Sequence, residues 1–231
     1  MKTTLLFLSV FLSVSLFGQS TYFDSGTEHY KQGEYQEAID DYNTAIKIKP
    51  DYADAYLNRG NAYDELGKYQ EAIDDYNTAI KINPDDAKAY VNRGVAYDEL
   101  GKYQEAIDDY NTAIKIDPNY ADAYYNRGNT YDDLGKVQEA IDDYNTAIKI
   151  NPDYADAYLN RGVAYDELGK YQEAIDDYNT AIKINPDSAS AYLNRGIVKE
   201  QLGIDDCSDY KKACELGSTK GCIYYKMDGC H

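Results

Sequence analysis

From residue 19 to residue 188 the apolar and polar positions return in one fixed order every 34 residues. In the stretch that starts at Ala53, Tyr56, Gly60 and Tyr63 fall at i, i+4 and i+7, which is one face of an α-helix. Ala72, Ile73, Tyr76, Ala79, Ile80 and Ile82 mark a second helical face after the break at Gly67. The spacing predicts helices near 53–66 and 69–82, with equivalents every 34 residues. Gly67 is placed to take the left-handed conformation that ends a helix and lets the chain reverse. Asp85 directly follows Pro84, and Asp51, Asn119, Asp153 and Asp187 stand at the same place in other units, where they are expected to cap the next helix. Gly60, Ala72 and Ala79 are small where two helices must approach closely, and the tyrosines fill the gaps between neighbouring pairs. One helix pair cannot bury both of its apolar faces, so the pairs must stack on one another.

Proline marks the same period at Pro50, Pro84, Pro118, Pro152 and Pro186. This divides the chain into units at 19–52, 53–86, 87–120, 121–154 and 155–188, followed by a degenerate sixth unit and helical cap at 189–231. The order Tyr56, Gly60, Tyr63, Ala72, Tyr76, Ala79, Pro84 resembles the tetratricopeptide repeat, with tyrosine where that family often carries Trp or Phe. The resemblance implies an all-α fold: a right-handed α-solenoid of antiparallel helix pairs whose first helices line a concave groove. The first unit departs at His29, which stands in place of a tyrosine and is expected to pack as one. The sixth departs further, with Lys199 at that position and a shortened second helix.

In this family the second, fifth, sixth, ninth and twelfth positions of the first helix face the groove. The sixth position is Asn58, Asn92, Asn126, Asn160 and Asn194 in successive units. An amide both donates and accepts, so such a row can hold the backbone of an extended peptide without reading its sequence. The resemblance extends to the asparagine ladders of superhelical tetratricopeptide domains; copying of one Asn-Arg-Gly unit by duplication gives the same row. The fifth position supplies Leu57, Val91, Tyr125, Leu159 and Leu193, and the ninth Asn61, Val95, Asn129 and Val163, expected to suit apolar side chains of a guest. Asp64, Asp98, Asp132 and Asp166 form an acidic rim that either attracts a basic guest or simply keeps the face solvated. A clamp for peptide C-terminal carboxylates is disfavoured, because Asp54, Asp122 and Asp156 stand where such clamps carry Lys or Arg, with Lys88 the exception. Arg59, Arg93, Arg127, Arg161 and Arg195 recur at the seventh position and are expected to pack on tyrosines and meet carboxylates such as Asp74 or Asp75.

Composition narrows the function further. With 41 acidic residues against 23 basic, the net charge is −18 over 231 residues, which disfavours nucleic acid and anionic membrane surfaces as partners. Only two histidines, His29 and His231, are present, and the adjacent carboxylates of pairs such as Asp74-Asp75 point about 100° apart on a helix. No catalytic constellation, metal site or cofactor motif is therefore expected.

The first residues, Met1 and Lys2, precede an apolar run from Leu5 to Phe17, which reads as a secretory signal peptide over 1–18, cut between 18 and 21. That run is too short to span about 30 Å of hydrocarbon, so no membrane insertion is expected after cleavage, and the protein is assigned to the periplasm or the exterior. All four cysteines, Cys207, Cys214, Cys222 and Cys230, lie near the C-terminus, and an even number in an exported chain favours disulfides. A helical hairpin turning near Ser218 would place Cys214 opposite Cys222 and Cys207 opposite Cys230. The stretch around Cys214 and Cys222 also resembles the disulfide-bearing helix pairs of Sel1-like repeats. The expectation is a monomeric, non-catalytic scaffold that binds a protein or extended peptide in its groove; the alternative is a self-associating component of an envelope or extracellular assembly.

Overall fold

The computed structural model describes residues 20–204 and 207–227. The expected signal segment, its cleavage region up to residue 19, and Cys230 lie outside the described residues. Among those described there are only helices and turns, and the chain is an all-α solenoid of antiparallel helix pairs. It divides into two compact units, Met1–Pro118 and Asn119–His231.

The first unit holds α1 (20–31), α2 (Tyr35–Ile48), α3 (Ala53–Glu65), α4 (Tyr69–Ile82), α5 (Ala87–Glu99) and α6 (Tyr103–Ile116). Each pair closes on the same contact. Tyr76 of α4 is 1% exposed, and a Cβ on Gly60 of α3 would lie 2.6 Å from its ring, so only glycine lets the ring lie against the α3 backbone. Ala72, Ala79, Ala89 and Ala96 complete the seam around Ile73 and Tyr76. Gly67 turns the chain at φ +69°, and Lys68 N–H bonds back to the Tyr63 carbonyl across it.

The N-caps differ from expectation by one position. Tyr52, Asp86, Tyr120, Tyr154 and Ser188 occupy the cap positions, and Asp86 and Ser188 accept from backbone N–H groups at their helix starts. Asp153 and Asp187, expected as caps, instead have their backbone N–H groups bound by Asn151 and Asn185 side chains. Asn151-Pro152-Asp153 and Asn185-Pro186-Asp187 thus form Asx-type turns across the proline that precede the cap.

The second unit holds α7 (Ala121–Asp133), α8 (Val137–Ile150), α9 (Ala155–Glu167), α10 (Tyr171–Ile184), α11 (Ala189–Gln201), α12 (Cys207–Glu215) and α13 (Thr219–Met227). The sixth pair is shortened yet keeps the same contact. Tyr210 is fully buried against Gly196, whose Cβ would stand 2.7 Å from the ring, as Tyr178 is against Gly162. On α13 a Cβ at Gly221 would meet the Ala213 Cβ at 2.7 Å, so this glycine sets the close approach of α12 and α13. A disulfide joins Cys214 to Cys222 with Cα atoms 4.4 Å apart. Cys207 is disulfide-bonded as well. The helical cap carries exposed apolar side chains: Ile223 and Met227 on α13 are 49% and 74% exposed. Reduction of Cys214–Cys222 is expected to cost about 2–3 kcal/mol, local to α12 and α13, because only a short loop is closed. Hydrogen exchange over 207–227 with and without reductant measures this; unchanged protection would make the bridge incidental.

Candidate functional site

The seventh-position arginines fasten each helix pair. Arg59 donates through Nε and Nη2 to both oxygens of Asp75 at 2.7 and 2.5 Å, and through Nη1 to Asn43 Oδ1 of the preceding pair at 2.5 Å. Its guanidinium also stacks near Tyr56 and Tyr63, at 5.4 and 6.0 Å from the ring centres. The same fork joins Arg93 to Asp109, Arg127 to Asp143 and Arg161 to Asp177. Burial alone would lower the Arg59 pKa, but its hydrogen bonds to Asp75 and the charge of that carboxylate together outweigh burial and hold it above the usual value. Of each expected carboxylate pair only the second is used: Asp75 is buried, whereas Asp74 is exposed and accepts from Gln70. In the first repeat Ser25 stands where arginine recurs, and His29 Nδ1 lies 3.0 Å from Asp41 Oδ2 instead. The expectation that His29 packs in place of tyrosine is corrected: it is a polar partner for an aspartate that has lost its arginine. Asp209 in the shortened pair takes both Arg195 and Lys199, at 2.5 and 2.7 Å.

The expected apolar lining is also corrected. Leu57 and Val91 are buried at 6% and 3% exposure and belong to the core. Leu159 packs against Ala174, Ile175, Tyr178 and Val198. The Tyr125 ring lies 4.8 Å from Tyr154, and its hydroxyl accepts from Asn160. Tyr125, Leu159 and Leu193 are half-buried, so the fifth position joins the core at Leu57 and Val91 and stays partly open at the later repeats.

The asparagine row is half-buried throughout but not uniform. Asn92 donates its side-chain N–H to Asn61 Oδ1 at 2.7 Å, and Asn160 donates to Asn129 Oδ1 at 2.9 Å. The same two acceptors take the hydroxyls of Tyr76 and Tyr144, at 3.0 and 2.9 Å. Asn194 follows Val163 at the preceding ninth position, which offers no such acceptor, and no hydrogen bond of its side chain is found among the described residues. The ninth position alternates Asn61, Val95, Asn129, Val163, and this sets which sixth-position amides are tied down.

Equivalent cavities lie at these polar junctions in both units. In the first, about 330 Å³ is lined by Tyr30, Asn61, Asp64, Tyr76, Lys88, Asn92 and Val95. In the second, about 170 Å³ is lined by Asn129, Asp132, Asp133, Tyr144, Asn160 and Val163. Burial beside Glu65 and Glu99 pushes the Asp64 carboxyl up to about 6, and burial beside Glu167 and Asp133 raises that of Asp132. The sequence reading named these aspartates and both ninth-position asparagines but missed the cavities they form; the strict Asn/Val alternation was the available signal. Among the described residues no group of three or more His, Cys, Asp or Glu is placed to hold a metal ion, and no helix is long and apolar enough to cross a membrane.

A TPR repeat model matches residues 26–67, 60–101, 97–135 and 128–168, and a tetratricopeptide repeat model matches 155–188. The chain is similar to the crystal structure of MamA protein at 30% identity, over 74% of this chain and 94% of that one, with TM-score 0.62. It is similar in fold to YrrB, described as a TPR protein with an unusual peptide-binding site, at 21% identity over 80% and 97% of the two chains, with TM-score 0.62. A Pseudomonas aeruginosa protein, pilF, is similar in fold at 17% identity over 93% and 94%, with TM-score 0.76. No curated protein matches the sequence.

Proposed function

Because the chain belongs to the tetratricopeptide repeat family, whose members bind proteins or peptides, we propose that it is a non-catalytic scaffold holding an extended peptide segment along its first helices. The observation that carries the reading is the pair of equivalent polar cavities, built from the same repeat positions in both units. A core has no need of two such half-open, amide-lined recesses, whereas a bound peptide offers the backbone groups that pair with them. The apolar run at 5–17 and the bonded cysteines support export to the periplasm or exterior, with a Cys-containing, Sel1-like cap closing the C-terminal end. The predominance of acidic residues supports a basic partner.

Panning an unbiased peptide library against the purified protein tests this. Peptides that compete with one another for one face are expected. Changing Asn92, Asn126 and Asn160 together to Ala should weaken them by a few kcal/mol at most, at about 1 kcal/mol net per hydrogen bond. A circular dichroism melt of the variant separates this loss from unfolding. No recovered peptides, or affinity unchanged in a folded triple variant, would remove the groove reading.

A further inference from the structure

The two cavities share an arrangement that selects what enters them. In the first, the donors that reach the floor are turned inward: the Tyr76 hydroxyl and an Asn92 N–H both go to Asn61 Oδ1. The second repeats this with Tyr144 and Asn160 on Asn129 Oδ1. Each cavity also takes an aspartate with one oxygen, Oδ1 of Asp64 or of Asp132, sealed from solvent and without a hydrogen-bond donor among the described residues. That oxygen has given up its hydration with no hydrogen bond in return, so the carboxylate is stabilised by a cation seated in the adjoining cavity, acting through its field and on the second oxygen. At about 330 and 170 Å³ the cavities lie at or below the small end of the roughly 300–1,000 Å³ range of small-molecule sites, a size suited to one side chain.

We propose that each cavity, taken within its own unit, is a subsite for one cationic side chain, a lysine or arginine of a bound peptide, so that positive charge is read where Asn and not Val stands at the ninth position. This rests on the reading of the first-helix face as a peptide groove. The ninth-position alternation supplies the selectivity: Asn61 and Asn129 draw the Tyr76, Asn92, Tyr144 and Asn160 donors away from the cavity, and Val95 and Val163 line one wall. The two subsites are unequal. Lys88 lines the first and partly offsets Asp64, while the second holds Asp133 beside Asp132 and no cation among its lining residues. The second therefore binds the cation more tightly.

Octalysine at physiological salt, titrated by calorimetry into the purified protein, is the probe. Asp64→Asn with Asp132→Asn should weaken it about 10-fold or more, the Asp132→Asn change accounting for most of the loss. Asp85→Asn with Asp153→Asn removes the same charge from exposed positions and should change affinity by about 2-fold or less. Asn61→Val with Asn129→Val installs residues the chain already uses at Val95 and Val163, and should reproduce the loss in a folded protein. Lowering the pH through about 6 should weaken the first subsite, because Asp64 takes up its proton there while the probe stays charged. The groups facing that carboxyl are Glu65, Glu99, Lys88, Tyr30, Tyr69 and Tyr76, of which Glu65 and Glu99 hold its pKa up. Equal losses in the pocket and exposed-aspartate variants would reduce the effect to general attraction and overturn the subsites. If library-selected peptides bind but octalysine does not, the cationic subsites fail and the groove stands; if neither binds, both fail.

Discussion

Replacing Arg93 with Leu is expected to destabilise the protein by about 3–5 kcal/mol, among the largest effects of any single substitution. The guanidinium holds both oxygens of Asp109 at 2.7 and 2.6 Å and reaches Asn77 Oδ1 at 2.5 Å, joining three helices through one group. Side-chain exposure is 17% for Arg93 and 8% for Asp109, so the pair is shielded from the water and salt that make surface pairs nearly worthless. Removing the cation leaves Asp109 buried without its charged partner. Asp108→Asn, one residue away on the exposed side of α6, should cost within about 0.5 kcal/mol. Adding Asp109→Leu to Arg93→Leu should recover much of the loss, since the double variant buries no orphan charge. Urea unfolding of these three variants and the parent protein measures all of this. A loss below about 1 kcal/mol that disappears in high salt would show that the fork is surface decoration.

Tyr178→Ala is the other large effect, expected at about 3–5 kcal/mol, because a ring only 1% exposed leaves a cavity between α9 and α10. Its partner substitution is the sharper test. A Cβ at Gly162 would stand 2.6 Å from Tyr178 Cε1 and 2.9 Å from Cδ1, with the ring boxed in by Ala174, Ile175 and Val198. Gly162→Ala alone should therefore cost about 1–3 kcal/mol through overpacking. In the Tyr178→Ala background the ring is gone, and the same change fills space while removing the helical penalty of glycine, about 1 kcal/mol. The sign should reverse, giving a coupling of about 2–3 kcal/mol in a double-mutant cycle. Additive losses would mean that the ring moves aside freely and that the glycine is not required by packing.

The asparagine row shows where sequence reasoning reached its limit. The 34-residue period puts Asn58, Asn92, Asn126, Asn160 and Asn194 at the same position of successive first helices, which the family resemblance turns toward the groove. It does not say what the preceding repeat sets against them. That depends on the ninth position one repeat earlier, some 31 residues away, where Asn binds the amide and Val does not. The cavities were hidden for the same reason, since each is assembled from residues of two or more repeats. The shortened sixth pair was hidden differently: Asp209-Tyr210 restores the Asp-Tyr pair of 177–178 after two residues are lost, and a strict 34-residue register passes over it.

By itself the sequence determined the helix pairs, their period, the turning glycines and the meeting of the recurring arginine with one of two adjacent aspartates in the full-length repeats. All of these follow from local periodicity, backbone conformation and charge within about one repeat length. Only the tertiary structure decided that Asp75 and not Asp74 takes Arg59, that Leu57 and Val91 are core, that His29 serves Asp41, and that Asn92 and Asn160 of a uniform-looking amide row are spent internally. A helix presents neighbouring positions about 100° apart, and which of them meets a partner is set by how the next pair is rotated against it. That rotation is a property of packing between repeats, and the pattern within one repeat does not contain it.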